Sequence, residues 1–269
     1  MILAHVLGVS RAMIVAHPER LLDPEQEMLA TNLLMRRAAG EPVAYLLGTR
    51  EFYGREFVVS PATLIPRPET ELIVEQALAR LPGSLSPASR ASAGVSGSNA
   101  DTPSTVLDLG TGSGAIAVSL ALECPHAKVT ATDVSRDALY MAAENAKRLG
   151  ASVEFIQSNW YANLTGRKFD LIVANPPYIA HGDEHLSQGD LRFEPQMALT
   201  DKSADGLLSI RTIVAGASSH LVHSGWLLFE HGYDQAGAAR ELLLQAGFGN
   251  LICINDLAGI DRVSGGQTR

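Results

Sequence analysis

The sequence predicts an α/β fold: a doubly wound, mostly parallel sheet with a small N-terminal helical domain. Three observations predict it. Strand-length apolar runs alternate with helical stretches from residue 105 onward, the pattern of strand, helix, strand units packed on a parallel sheet. A glycine-rich turn, Gly110-Thr111-Gly112-Ser113-Gly114, stands between the first of those strands and a helix, where sheets of this kind hold nucleotide-like ligands. The first 60 residues carry helix signals without such alternation.

Taken in chain order, Asp23-Pro24-Glu25-Gln26 offers an N-cap, a first-turn proline and a capping-box glutamine, and Gly40 can end that helix. Met28, Leu29, Leu33 and Met35 give it an apolar face that is expected to be core. Residues 1–60 are therefore expected to form the helical domain and residues 61–81 a connecting segment. Across residues 82–104 the composition turns to Ser, Ala, Gly and Pro with almost no large apolar residue, which predicts a flexible linker. Residues 105–269 carry the sheet. Strands are expected at Thr105 to Leu109, Lys128 to Thr132, Val153 to Gln157, Phe169 to Ala174, Trp226 to Glu230 and Leu251 to Asn255. Helices are expected near 115–123, 135–149, 206–222 and 235–246.

Chemistry gathers at two places. In the run from Gly110 to Gly114 only glycine lets the backbone approach a ligand closely and take positive φ without strain. Asp133, at the end of the second strand, is placed to accept hydrogen bonds from ribose hydroxyls; the plain alternative is an acid at the start of the following helix. With Ala115 the loop also satisfies the dinucleotide fingerprint, so it leaves S-adenosylmethionine and a nicotinamide or flavin cofactor both open. Asp108 is open between orienting the loop, meeting a cofactor amino group and capping the strand end.

The second place is Asn175-Pro176-Pro177-Tyr178, directly after the fourth strand. The first and fourth strands flank the topological switch point, so this tetrapeptide faces the glycine loop. Its two prolines remove two amide donors and stiffen the loop. The Asn175 side-chain oxygen and the Pro176 carbonyl can then accept both hydrogens of an NH2 group, aiming a delocalised nitrogen at an electrophilic methyl group, while Tyr178 stacks on the planar group. A nicotinamide oxidoreductase explains Gly110 to Ala115 and Asp133 but gives the tetrapeptide no role.

On these residues the chain resembles the HemK/PrmC family, the protein-(glutamine-N5) methyltransferases of class 1 peptide release factors. The resemblance runs through Glu41-Pro42-Val43-Ala44-Tyr45-Leu46-Leu47-Gly48, Arg50-Glu51-Phe52, the segment Ser60-Pro61-Ala62-Thr63-Leu64-Ile65-Pro66-Arg67-Pro68-Glu69-Thr70-Glu71, the tetrapeptide, and Arg192-Phe193-Glu194-Pro195. It implies a class I (Rossmann-like) methyltransferase domain behind a substrate-recognition domain. It also implies S-adenosylmethionine held by Gly110 to Gly114, Asp133, Asn175 and Trp160, with Trp160 on the adenine. The implied substrate is the glutamine of the Gly-Gly-Gln loop of release factors, held by Asn175, Pro176, Pro177 and Tyr178. The tetrapeptide also occurs in adenine-N6 and guanine-N2 methyltransferases, so a nucleic-acid methyltransferase is the alternative. Three departures from the family pattern stand out: the resemblance implies a further helix before Met1, Asn159 replaces an aspartate that would meet the adenine amino group, and the 82–104 linker is long.

The remaining features narrow the class. A formal charge of −8 repels a phosphate backbone on average, so no direct nucleic-acid binding is expected, although a local basic face would reverse that. Cys124 and Cys253 lie far apart without partners at ligand spacing, so neither a disulfide framework nor a metal site is expected. No apolar run approaches the roughly 18 residues of a membrane helix, and the opening lacks a basic start and a cleavage site, which together predict a cytoplasmic enzyme. Gly265-Gly266-Gln267 repeats the implied substrate tripeptide and is expected to be a chance occurrence in an unstructured terminus.

Overall fold

The computed structural model describes residues 1–81 and 103–269. The linker expected at 82–104 lies outside the described residues except for its last two positions. Four helices open the chain: Ile2–Leu7, Arg11–Ala16, Pro24–Ala38 and Val43–Leu47. The third is set by the capping box, with Gln26 N donating to Asp23 Oδ1 at 2.8 Å and Asp23 N to Gln26 Oε1 at 3.2 Å. Its buried stripe is not the expected one. Ala30 and Leu33 are buried, whereas Met28, Leu29 and Met35 are exposed. The helix docks through a narrow line where alanine allows close approach, and Leu33 meets Ile2 and Leu46 in a core too small to cover a wider face.

Residues 49–58, expected within the helical segment, instead form a hairpin of β1 (Thr49–Phe52) and β2 (Arg55–Val58). Tyr53 and Gly54, both at positive φ, make its two-residue turn. Phe52 and Phe57 are fully buried at an edge-to-face centroid distance of 6.0 Å, in one cluster with the helix Glu71–Leu78 and the sheet. Asn145, fully buried, ties the hairpin down: it accepts from Val58 N at 2.8 Å and donates to Val58 O and Ser113 O, each at 2.9 Å.

The sheet comprises β3 (Thr105–Leu109), β4 (Lys128–Asp133), β5 (Val153–Gln157), β6 (Phe169–Ala174), β7 (Leu221–Glu230), β8 (Gly249–Asn255) and β9 (Asp261–Gln267). Their order is β5-β4-β3-β6-β7-β9-β8, parallel from β5 to β7 and antiparallel where β9 pairs with β7 and β8. The helices Ala115–Glu123, Arg136–Leu149, Leu208–Ala217 and Ala236–Gln245 cover it. Two apolar clusters, one on each face, fill the layers between. This is the doubly wound sheet that the alternation predicts, with β3 and β6 adjacent at the switch point.

Two further expectations fail. The helix anticipated at 206–222 stops at Ala217, and β7 already begins at Leu221. The C-terminal residues are not an unstructured terminus: Gly265-Gly266-Gln267 lies in β9, between β7 and β8. Crowding explains the glycines. A Cβ on Gly265 would come within 2.5 Å of Leu227 O, and one on Gly266 within 2.7 Å of Leu251 Cδ2. Such residues carry little strand propensity, which is why pattern alone misses them.

Candidate functional site

A cleft with about 1020 Å³ of empty space, open solvent included, lies at the carboxyl ends of β3, β4 and β6. Gly110, Thr111, Gly112, Ser113, Asp133, Trp160, Asn175 and Pro177 line it together, while Gly114, Pro176 and Tyr178 are not part of the lining. The sequence-derived site thus divides into residues that line the cleft and residues directly beside them in the chain.

The glycine loop is built by backbone pairing. Gly110 N and Thr111 N both donate to Thr132 O at 2.9 Å, bending the chain off β3 toward β4. Gly110, Gly112 and Gly114 all have positive φ. Gly114 caps the helix Ala115–Glu123, and a Cβ there would lie 3.0 Å from Ala142 Cβ, so this glycine lets two helices approach. Gly110 faces the Trp160 ring, which a Cβ at that position would meet at 3.6 Å. Trp160 itself takes φ 49° in the turn after β5, with its carbonyl held by Ser158 Oγ at 2.8 Å.

Asp133 ends β4 as expected, and its carboxylate has two backbone donors: Gly112 N on Oδ2 at 3.0 Å and Ser135 N on Oδ1 at 2.9 Å. The contact with Ser135 N orders the helix start, and each carboxylate oxygen, with one donor apiece, retains acceptor capacity in a residue that lines the cleft. Burial pushes its carboxyl above the ordinary range, and the backbone donors oppose that. Asp108, completely buried, accepts from the Thr111 hydroxyl at 2.7 Å and so orients the loop, and the backbone of Ala117 also favours its ionised form. Burial pushes the Asp108 carboxyl up to about 7.

On the facing wall, the register that pairs Leu109 with Ala174 puts Asn175 one residue past β6, at the same end of the sheet where Gly110 leaves β3. Asn175 Nδ2 donates to Thr70 Oγ1 at 3.0 Å. The Tyr178 hydroxyl donates to Glu230 Oε1 at 2.9 Å, and the Tyr178 ring packs against the apolar cluster on that face of the sheet. The Tyr178 carbonyl accepts from Gln235 Nε2 at 3.0 Å, and any side chain on Gly206 would collide with it. The tetrapeptide is therefore pinned from behind.

Pattern reading missed several lining and supporting residues. Ala62, Thr63, Leu64 and Pro66, with Pro195, Met197 and Ala198, also line the cleft. Glu194, whose side chain is fully buried, joins them by pairing with Arg67 and accepting from Ile65 N at 2.9 Å. The Tyr45 hydroxyl donates to Thr63 O at 2.7 Å. Glu230 was the legible one: an acid at the carboxyl end of a parallel strand points at the binding edge.

Comparison with known proteins agrees with this geometry. Residues 1–48 match the PrmC N-terminal domain and residues 96–191 the Methyltransferase small domain. A release factor glutamine methyltransferase of Bordetella pertussis is 52% identical over 99% of this chain and 92% of its own length. Its counterpart in Neisseria gonorrhoeae is 49% identical over 99% and 91%. Among solved structures, a 16S rRNA N2 G1207 methyltransferase of Thermus thermophilus has a TM-score of 0.57 at 19% identity, covering 82% of this chain and 50% of that one. A methyltransferase from Pyrococcus furiosus has a TM-score of 0.56 at 19% identity, covering 88% and 98%. At those identities the two structures speak for the fold alone.

Proposed function

The chain belongs to the release factor glutamine methyltransferases, and from that premise we propose which glutamine it modifies and how each cleft residue contributes. It is an S-adenosylmethionine-dependent enzyme that methylates the N5 amide nitrogen of a release-factor glutamine. The finer reading is that the glutamine is that of the Gly-Gly-Gln loop in class 1 release factors, that no nucleic acid is bound directly, and that the enzyme works in the cytoplasm. Among the described residues no helix is long and apolar enough to cross a membrane.

S-adenosylmethionine supplies an electrophilic methyl group on a sulfonium sulfur. The residues present fit it. The positive-φ glycines leave backbone exposed at the cleft, Asp133 has acceptor capacity left for a ribose diol, and Trp160 offers a ring face beside Gly110. Asn159 lines the same end of the cleft and offers an amide where an adenine edge would lie. In this reading Asn175 Oδ1 and the Pro176 carbonyl accept the two amide hydrogens of the substrate glutamine. That orients the nitrogen and favours its pyramidal form as the new N–C bond replaces the S–C bond; the surplus amide proton leaves to water. Pro177 shapes the wall, and Tyr178 secures the loop through Glu230. Residues 1–60 are read as the substrate-recognition part, with the hairpin anchoring it to the sheet.

The observation that carries the reading is Asn175 at the end of β6, opposite the glycine loop, with its amide nitrogen already committed to Thr70. The test is incubation of the enzyme with tritiated S-adenosylmethionine, a release factor and ribosomal RNA, followed by peptide mass analysis. One added methyl group on the Gly-Gly-Gln glutamine is expected; label in RNA alone would reject the assignment.

A further inference from the structure

We propose that Thr70 and Glu230 are positioning residues that hold the Asn175 amide with its oxygen toward the substrate nitrogen. The inference rests on the reading of Asn175 given above and adds two residues to it. Three hydrogen bonds form a directed chain. The Tyr178 hydroxyl donates to Glu230 Oε1 at 2.9 Å, the Thr70 hydroxyl donates to Glu230 Oε2 at 2.7 Å, and Asn175 Nδ2 donates to Thr70 Oγ1 at 3.0 Å. A hydroxyl has one proton. Once the Thr70 proton is directed to the carboxylate, the Thr70 oxygen can only accept, so Asn175 must present its NH2 there and its Oδ1 elsewhere. Thr70 and Asn175 both line the cleft. Turned the other way, the Asn175 amide would set its oxygen against the Thr70 lone pairs and show an NH2 to the incoming NH2 of the substrate, donor against donor.

Position and surroundings support the arrangement. Glu230 is 1% exposed and ends β7, whose neighbour β6 ends one residue before Asn175, with Ala174 paired to Phe229. Each carboxylate oxygen receives one hydroxyl donor, which is what an acceptor-only group calls for. Burial raises the Glu230 carboxyl; the two hydroxyl donors and the Arg262 charge oppose that, while Glu69 adds to it. Thr70 is buried, in the short 3-10 turn Pro68–Thr70, so its side chain is held from a segment far from Asn175 in sequence.

The test compares Thr70→Val, which keeps the shape and loses the hydroxyl, with Thr70→Ser, which keeps the hydroxyl, and with Asn175→Ala. For each, kcat and KM for release-factor methylation, S-adenosylmethionine affinity by calorimetry, and melting temperature are measured. Thr70→Val should lower kcat about 10- to 100-fold with cofactor affinity within about twofold, and Thr70→Ser should stay within about threefold of the parent. Wild-type kcat in Thr70→Val, an equal fall in Thr70→Ser, or a parallel loss of cofactor affinity would overturn the proposal. If Asn175→Ala keeps turnover, the reading of Asn175 fails and takes this one with it. If Asn175→Ala loses turnover and Thr70→Val does not, the positioning role alone is rejected. Should Thr70→Val melt below the assay temperature, Glu230→Met decides: similar in length, it removes the acceptor of both hydroxyls and frees the Thr70 proton to turn toward Asn175, so kcat should again fall, and unchanged kcat overturns the proposal.

Discussion

Individual residues in the cleft have separable duties, and substitutions should separate them. Asp133→Ala removes the acceptor proposed for a ribose diol, so S-adenosylmethionine binding should weaken by about 1.5 to 3 kcal/mol, read by calorimetry. Unchanged affinity would mean that Asp133 serves only Gly112 and Ser135. Asp108 makes a different prediction. Its carboxyl sits at about 7 in the fold, above the roughly 3.9 of an unfolded aspartate. The folded state therefore binds a proton more tightly, and ionisation of Asp108 costs stability as pH rises from about 4 through about 7. Below that window the cost is absent; above it the cost is complete, on the order of 4 kcal/mol. Asp108→Asn removes this dependence, so the difference in unfolding free energy, variant minus parent, should grow from pH 4 to pH 8 in denaturant titrations. A difference that stays flat with pH would show that Asp108 titrates normally.

At the scale of elements, the hairpin and the last strand are held by specific junctions rather than by propensity. Asn145 carries three hydrogen bonds that join β2 to the glycine loop, the one to Ser113 O fully buried. Asn145→Ala should cost about 2 to 4 kcal/mol of stability, because it leaves Val58 N, Val58 O and Ser113 O without partners. Cofactor affinity should fall as well, since Ser113 borders the cleft; denaturant unfolding and calorimetry on one variant check both. The last strand bears on self-modification. Gln267 pairs with Trp226, four residues along β7 from Glu230, or roughly 13 Å at about 3.3 Å per residue. Its side chain is held by Asn250 and Ser224 at 2.8 and 2.9 Å. Peptide mapping after incubation with the cofactor should find Gln267 unmethylated.

For the molecule as a whole, the cleft depends on segments remote in sequence staying in contact. Residues from 62–66 and 195–198 line one cleft, and Glu194, bonded to Ile65 N and paired with Arg67, is the clasp between the two segments. Glu194→Ala leaves Arg67 and Ile65 N without their acceptor. It should cost about 2 to 3 kcal/mol, below the usual range for a fully buried pair because Arg67 is 29% exposed. KM for the release factor should rise more than cofactor affinity falls, because the clasp joins the 62–66 and 195–198 segments and not the Asp133 end. Equal losses in both would show that the clasp holds the whole cleft.

Local signals in the sequence determined the sheet from β3 to β8, the glycine loop, Asp133 at its strand end and Asn175 opposite, because apolar alternation, glycine spacing and strand-end acids are readable from neighbouring residues alone. They also led to the family through contiguous segments such as Ile65-Pro66-Arg67-Pro68-Glu69. Tertiary structure alone decided the rest. Strand pattern placed Glu230 at a sheet edge, but not beneath Thr70, 160 positions away in the chain. The capping box fixed the start of the helix Pro24–Ala38, yet which face is buried depended on how little core the small domain could offer. The final strand is glycine-rich because its neighbours crowd it, so the residues that fit it there lack the side chains by which a strand is read.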